Sequence, residues 1–125
     1  MENLLNGTGN VVIGDSNKIS GNSNNINQGN GNSILGARNS IVSGNNNRLN
    51  GSSNVLFGAS NQVIGVSNGI SGSSNTIENG ANNLIFGNDN RITLGDLNRI
   101  NGSSNSVAGS SNVVFSGEGN SIQGG

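Results

Sequence analysis

The sequence predicts an all-β fold, a parallel β-solenoid of the β-roll type, and three observations support this prediction. A unit of seven or eight residues recurs seventeen times along the 125-residue chain, and each copy has an Asn followed two positions later by an aliphatic residue. Each unit also closes on Gly. A longer rhythm of 29 residues separates Val55/Phe57, Leu84/Phe86 and Val113/Phe115. Units this short cannot bury an aliphatic side chain alone, so they must stack on one another.

Each repeated unit is predicted to form one short strand followed by a corner. The Asn positions are Asn3, Asn10, Asn17, Asn24, Asn32, Asn39, Asn47, Asn54, Asn61, Asn68, Asn75, Asn83, Asn90, Asn98, Asn105, Asn112 and Asn120. Side chains alternate between the two sides of a strand, so the aliphatic residue and the Asn two positions earlier both point inward. The Gly and the small polar pair that follows it form the corner, where Gly permits a positive φ.

Stacking the units in register creates two internal ladders. Parallel strands lie about 4.7–4.9 Å apart, so the inward Val, Ile and Leu side chains form one continuous ladder. The Asn side chains form a second ladder, in which the amides hydrogen-bond to each other and to the corner backbone. Asn is also a common turn residue, but that preference does not explain its fixed place in the unit. The sequence therefore predicts a structural role for Asn inside the roll.

Either two or three units could make up each coil. Two units give a flattened roll with two sheets, whereas three give a triangular prism. The 29-residue rhythm spans four units, so two units per coil place the Phe-containing pairs on one face in alternate coils. Three units per coil would scatter them over different faces. The rhythm therefore favours two units per coil and about eight coils, roughly 40 Å in length at about 4.8 Å per coil.

The composition excludes many kinds of function. The chain has no His and no Cys, which removes the usual zinc ligands, thiol nucleophiles and imidazole bases. The net charge of −1 and the lack of Trp and Tyr argue against nucleic-acid binding. Asp89 and Asp96 are expected to be solvated corner acids. We therefore expect no catalytic residue, no cofactor, no metal and no membrane span.

With two units per coil, the outward side chains divide into two faces. The odd-numbered units form the odd face, which has four charged residues, Lys18, Arg48, Glu78 and Arg91. The even-numbered units form the even face, which has one charged residue, Arg99, and a group of apolar side chains. Exposed apolar strips commonly mark binding or association surfaces. The candidate binding surface on the even face comprises Val11, Ile13, Ser40, Val42, Val55, Phe57, Gly69, Ser71, Leu84, Phe86, Val113 and Phe115.

The repeat resembles that of the ryegrass-type ice-binding proteins of grasses, which inhibit ice recrystallization. Segments 44–51 (Gly-Asn-Asn-Asn-Arg-Leu-Asn-Gly) and 72–80 (Gly-Ser-Ser-Asn-Thr-Ile-Glu-Asn-Gly) illustrate a likeness that extends over the whole chain. The resemblance implies a left-handed β-roll with two units per coil and inward Asn and Val ladders. It also implies a secreted protein that binds ice through a flat sheet of short outward side chains.

A second likeness is to the head domains of trimeric autotransporter adhesins. Segment 10–14 (Asn-Val-Val-Ile-Gly) is similar to the strand phrase of those left-handed rolls. In the adhesins the apolar sheet packs against partner subunits. The adhesin pattern does not require Asn in every unit, so this likeness explains less of the sequence.

Two functions follow from these patterns. One is an ice-binding module that acts on an ice/water surface without catalysis. The other is a structural or adhesive solenoid that associates with copies of itself, either through the even face or through strand edges at its ends, where the sequence shows no cap. A glycan-binding module ranks lower because Tyr and Trp are absent.

The repeat leaves no room for a linker, so residues 1–125 are expected to form a single β-solenoid domain. The chain does not begin with the pattern of a signal peptide. The sequence thus leaves the compartment unknown, and an extracellular location is favoured if the chain is a mature or excised segment.

Overall fold

A computed structural model describes residues 2–125, which form seventeen short strands and no helix. The strands are β1 (Leu4–Asn6), β2 (Val11–Val12), β3 (Lys18–Ser20), β4 (Asn25–Ile26), β5 (Ser33–Ala37), β6 (Ser40–Ser43), β7 (Arg48–Ser52), β8 (Val55–Phe57), β9 (Gln62–Val66), β10 (Gly69–Ser71), β11 (Thr76–Ala81), β12 (Leu84–Phe86), β13 (Arg91–Thr93), β14 (Arg99–Ser103), β15 (Ser106–Ala108), β16 (Val113–Glu118) and β17 (Ser121–Gln123). Each repeat unit therefore contributes one strand, as predicted. Within the described residues, no helix is long and apolar enough to cross a membrane.

The strands form two parallel sheets. The odd sheet contains nine strands in the order β1-β3-β5-β7-β9-β11-β13-β15-β17, and the even sheet contains eight strands ordered from β2 to β16. Strands that are consecutive in the chain thus lie in opposite sheets, and each coil consists of two units. The predicted β-solenoid, with two units per coil and about eight coils, is confirmed.

A single column of aliphatic side chains fills the space between the sheets. The fourteen buried members are Ile19, Ile26, Ile34, Ile41, Leu49, Leu56, Val63, Ile70, Ile77, Ile85, Ile92, Ile100, Val107 and Val114. Val12 and Ile122 are partly buried against this column. The sheet register aligns each residue with its equivalent one coil away, for example Ile70 with Ile85. Burial of the aliphatic ladder is therefore continuous from coil to coil.

The repeat Asn side chains form the second internal ladder. Thirteen of them, from Asn17 to Asn105, are at most 2% exposed. In each, Oδ1 accepts hydrogen bonds from the backbone N–H and the Nδ2 of the Asn one coil later, while Nδ2 also donates to the carbonyl oxygen of the Gly that closes the next unit. No buried side-chain nitrogen or oxygen among the described residues lacks a partner. Burial of these amides is thus offset by complete hydrogen bonding.

The closing Gly of each unit lies where two coils approach closely. Gly58 has a φ of 126°, and a Cβ added to it would lie 1.9 Å from the carbonyl oxygen of Gly72 in the next coil. The corner therefore requires Gly for its backbone conformation and for the space. The lack of space recurs at corners without a left-handed φ, for example at Gly80, where a Cβ would lie 2.6 Å from the Gly95 carbonyl oxygen. Close approach of the coils therefore explains why Gly recurs.

A second left-handed position precedes each buried Asn. Ser usually occupies it, as at Ser53 with a φ of 59° and Ser60 with a φ of 60°. Leu97 occupies the equivalent place with a φ of 60°, although its side chain is exposed. A left-handed φ is uncommon for residues other than Gly, Asn and Asp. The repeated corner geometry thus imposes this conformation on whichever residue stands there.

The eight-residue units accommodate their additional residue before the closing Gly. The strand register shifts between Ile77 and Gly80, and between Ile41 and Ser43. At the second shift, Ser43 pairs with Phe57 of the next coil, and Val42 stands beside that pair with 40% exposure. The insertion is thus absorbed as a local bulge, and both ladders continue past it.

Candidate functional site

The even sheet aligns its outward side chains in two columns. The register places Val11, Asn25, Ser40, Val55, Gly69, Leu84, Arg99 and Val113 in the first column. The second column contains Ser43, Phe57, Ser71, Phe86, Asn101 and Phe115, which pair in that order. Ile13 follows β2 and is 58% exposed. The expected place of Val42 in the second column is wrong, because the bulge in β6 puts Ser43 there and leaves Val42 beside it. The other residues chosen from the sequence lie together on one surface.

Large apolar side chains dominate the exposed part of this even face. Val55, Val113 and Phe57 are each about half exposed, Phe86 is 41% exposed and Phe115 is 76% exposed. Ser40, Gly69, Ser71 and Leu84 are partly buried between them. Apolar groups of this number on one surface of a small protein are typical of a contact surface.

The second column alternates large and small residues. Ser71 lies between Phe57 and Phe86, and Asn101 lies between Phe86 and Phe115. Successive Phe residues are two strand spacings apart, about 9.6 Å. In the first column, Leu84 Cδ1 lies 3.0 Å from the position that a Cβ on Gly69 would occupy, so Leu84 covers this glycine. The even face is therefore ridged, with small polar residues between the aromatic ridges.

Charged side chains lie mostly away from the even face. Arg99 is the one charged residue in the two outward columns of the even sheet, and Glu118 is exposed at the end of β16, where it pairs with Ser103. On the odd face, Arg91 and Glu78 form an ion pair with 2.8 Å between Arg91 Nη2 and Glu78 Oε1. Asp15 and Asp89 occupy corners. The arrangement of the strands thus places more charged side chains on the odd face than in the two columns of the even face, as predicted.

The corner acids have backbone partners or face solvent. Asp96 Oδ1 accepts a hydrogen bond of 2.7 Å from the backbone N–H of Ala81 one coil earlier. Asp89 is exposed and lies in the left-handed position before Asn90. Among residues 2–125, no group of three His, Cys, Asp or Glu side chains is arranged to hold a metal ion. Asp96 therefore has a structural role in its corner, similar to that of the Asn side chains at neighbouring corners.

Two features of the surface were not predicted from the sequence. Leu94 and Leu97 are exposed on either side of one corner, both with left-handed φ values, of 50° and 60°. Lys18 and Arg48 flank Ser33 on the odd face and enclose a hollow. An alignment of the repeat units contains a signal for each feature. Leu97 stands where most units have a small polar residue. Lys18 and Arg48 occupy equivalent positions two coils apart.

This architecture defines a class of protein, a two-sheet parallel β-roll whose fixed residues form internal Asn and aliphatic ladders and whose variable residues form two outward faces. The family model of the grass antifreeze β-roll matches residues 5–79, which is more than half of the chain. The protein therefore belongs to the grass antifreeze β-roll family, a family of non-catalytic ice-binding proteins. The resemblance of the repeat to that of the ice-binding proteins of grasses is confirmed.

The structural repeat continues beyond the matched segment. Strands β12 to β17 follow residue 79 and extend the same two sheets. Asn83, Asn90, Asn98 and Asn105 continue the buried Asn ladder there. A search of curated proteins found no match to the chain.

Proposed function

We propose that this protein binds the surface of ice crystals and inhibits their recrystallization through its even face, with residues 1–125 acting as one β-solenoid domain without catalysis. The observation that supports the proposal is the register of the even sheet, which repeats outward side chains at one strand spacing, about 4.8 Å. A rigid, regular array can order water over its whole length, and the hydrogen-bonded ladders beneath keep that array rigid.

The difference in charge favours the even face over the odd face. A charged side chain holds its hydration shell strongly, and removing that water has a large cost. The odd face presents Lys18, Arg48, Glu78 and Arg91 along its columns, whereas the two columns of the even face contain one charged residue, Arg99. Ice is an uncharged surface that cannot compensate a lost hydration shell with an opposite charge. Contact through the even face therefore costs less free energy.

The ridges on the even face limit the strength of the interaction. Phe57, Phe86 and Phe115 project between shorter residues, so a planar crystal surface contacts the rings before it reaches Ser71 or Asn101. Outward Thr residues are few, and both Thr76 and Thr93 lie on the odd sheet. We therefore propose adsorption that is sufficient to slow recrystallization and weaker than that of a flat array of short side chains.

Association between copies of the protein is the competing use of the even face. The eight-stranded sheet is about 35 Å long, and the three residues that pair in most of its strands span about 10 Å, which gives a planar area of a few hundred Å². A stable protein interface buries about 800 Å² on each partner. The even face is smaller than that requirement, which supports ice as its partner.

Recrystallization in frozen sucrose solution tests the proposal directly. Wild-type protein at micromolar concentration should keep ice grains small during annealing. Ser71→Lys introduces a charge between Phe57 and Phe86 and should abolish the effect, whereas the matched odd-face variant Ser106→Lys should retain it. Grains that coarsen as fast with wild-type protein as with buffer would reject ice binding, and a loss of activity in Ser106→Lys alone would reject the even face.

A further inference from the structure

Two cations on the odd face flank one small residue. Lys18 on β3 pairs with Ser33 on β5, and Ser33 pairs with Arg48 on β7, so the three residues occupy consecutive places in one outward column. The hollow between the two long side chains has a volume of about 330 Å³. Ser20, Leu35 and Asn50 also line it.

Lys18 and Arg48 have no carboxylate partner within 4.0 Å in the described part of the chain. Arg91, in the same column, differs because Glu78 neutralises it at 2.8 Å. The next residues in the column beyond the two cations are Leu4 and Gln62, which are uncharged. The two positive charges are thus uncompensated by their neighbours on the sheet, which creates a local positive potential on a chain whose net charge is −1.

The spacing of these two side chains suits a small anion. Their backbones are two strand spacings apart, about 9.6 Å, and Lys and Arg side chains are long enough to converge above Ser33. The Lys18 ammonium supplies three N–H donors and the Arg48 guanidinium supplies a planar fork that matches oxyanion geometry. Ser33 and Asn50 also line the hollow, and their hydroxyl and amide groups can supply further donors.

We infer that this hollow, the Lys18–Arg48 notch, binds a tetrahedral oxyanion such as phosphate. The anion occupies the space above Ser33, accepts charge-assisted hydrogen bonds from Lys18 and Arg48, and relieves their mutual repulsion. The notch is on the sheet opposite the proposed ice-contact surface, so it is a separate binding site. Because both cations are exposed, the interaction is weakened by salt.

Titration of the isotope-labelled protein with inorganic phosphate, followed by backbone amide chemical shifts at constant ionic strength, tests the notch. The expected result is saturable shifts centred on Lys18, Ser33 and Arg48. The double variant Lys18→Met/Arg48→Met should bind phosphate at least tenfold more weakly, whereas Arg99→Met, which removes a cation from the even sheet, should bind like wild type. Both changes are at exposed positions, and unchanged amide spectra elsewhere would show that the fold is intact.

Shifts that rise linearly without saturation, or that persist in the double variant, would overturn the inference. Equal shifts around Arg91 and Arg99 would also overturn it, because they would indicate nonspecific attraction of an anion to any cation. None of these outcomes changes the recrystallization result, because that result depends on the even face.

Discussion

The side-chain oxygen of Asn61 accepts two hydrogen bonds from Asn75, one coil further along the chain. The backbone N–H of Asn75 donates over 2.9 Å and its Nδ2 donates over 3.1 Å. Asn61 itself donates through Nδ2 to Asn47 Oδ1 and to the carbonyl oxygen of Gly72. The Asn61 side chain thus links three successive coils and also binds the corner at Gly72. An amide is the side-chain group that supplies both the donors and the acceptor that this position needs.

Asn61→Ala should lower the free energy of unfolding by about 3 kcal/mol, because it leaves the buried N–H of Asn75 and the carbonyl oxygen of Gly72 without their partners. The loss should be comparable with that caused by Val63→Ala, which removes part of the aliphatic ladder. Asn25→Ala is the matched control, since Asn25 is exposed on β4 and should change stability by no more than about 0.5 kcal/mol. Urea denaturation of the three variants provides the comparison, and equal midpoints for Asn61→Ala and Asn25→Ala would contradict a structural role for the ladder.

Gly58→Ala should destabilise the roll by about 3 kcal/mol or more, because it combines a strained φ of 126° with a Cβ placed 1.9 Å from a backbone oxygen. Gly69→Ala is the control. Gly69 has no left-handed φ, and a Cβ there meets only the end of the Leu84 side chain, at 3.0 Å. Thermal unfolding should show a large decrease in Tm for Gly58→Ala and a small one for Gly69→Ala. Similar Tm values for the two variants would mean that the corner adjusts to a side chain.

Leu97→Asn should stabilise the protein by about 0.5–1 kcal/mol, because Asn tolerates the left-handed conformation better than Leu. The backbone hydrogen bond from the Leu97 N–H to the Ala81 carbonyl oxygen is unaffected by the change. Leu35→Asn removes a Leu of similar exposure from a strand and should give no such gain. An unfolding free energy for Leu97→Asn that equals or falls below that of wild type would show that its φ carries no strain.

The triple variant Phe57→Thr/Phe86→Thr/Phe115→Thr should inhibit recrystallization at lower concentrations than wild type. Short side chains would remove the ridges and bring the even face closer to a plane. The exposed Leu35 on the odd face offers a control, because Leu35→Thr should leave the activity unchanged. A triple variant that folds normally and is less active than wild type would show instead that the aromatic rings themselves contact ice.

Most of the architecture could be predicted because the fixed residues of the repeat are the interior residues. The 29-residue spacing of Phe57, Phe86 and Phe115 distinguished two units per coil from three, and the sheet order agrees. The alternation along each strand was enough to separate buried Ile85 from exposed Phe86. Period-two alternation and stacking together therefore determine which residues are inside.

The corners and the surface hollows were harder to predict. The left-handed φ at Ser60 or Leu97 arises from the closed shape of the coil, and Ser and Leu have no intrinsic preference for it. The bulge that pairs Ser43 rather than Val42 with Phe57 depends on where the coil absorbs its additional residue. The Lys18–Arg48 notch depends on strand pairing that places residues 30 positions apart in sequence on either side of Ser33, and this arrangement exists only after stacking.

Uptake into a slowly growing ice crystal is the most direct measurement of whether the even face contacts ice. Wild-type protein, Ser71→Lys and Ser106→Lys would each be labelled and their concentrations compared in the ice and in the remaining liquid. Binding through the even face predicts that wild type and Ser106→Lys are enriched in the ice, while Ser71→Lys stays in the liquid. Exclusion of the wild type, or enrichment of Ser71→Lys with exclusion of Ser106→Lys, would contradict it.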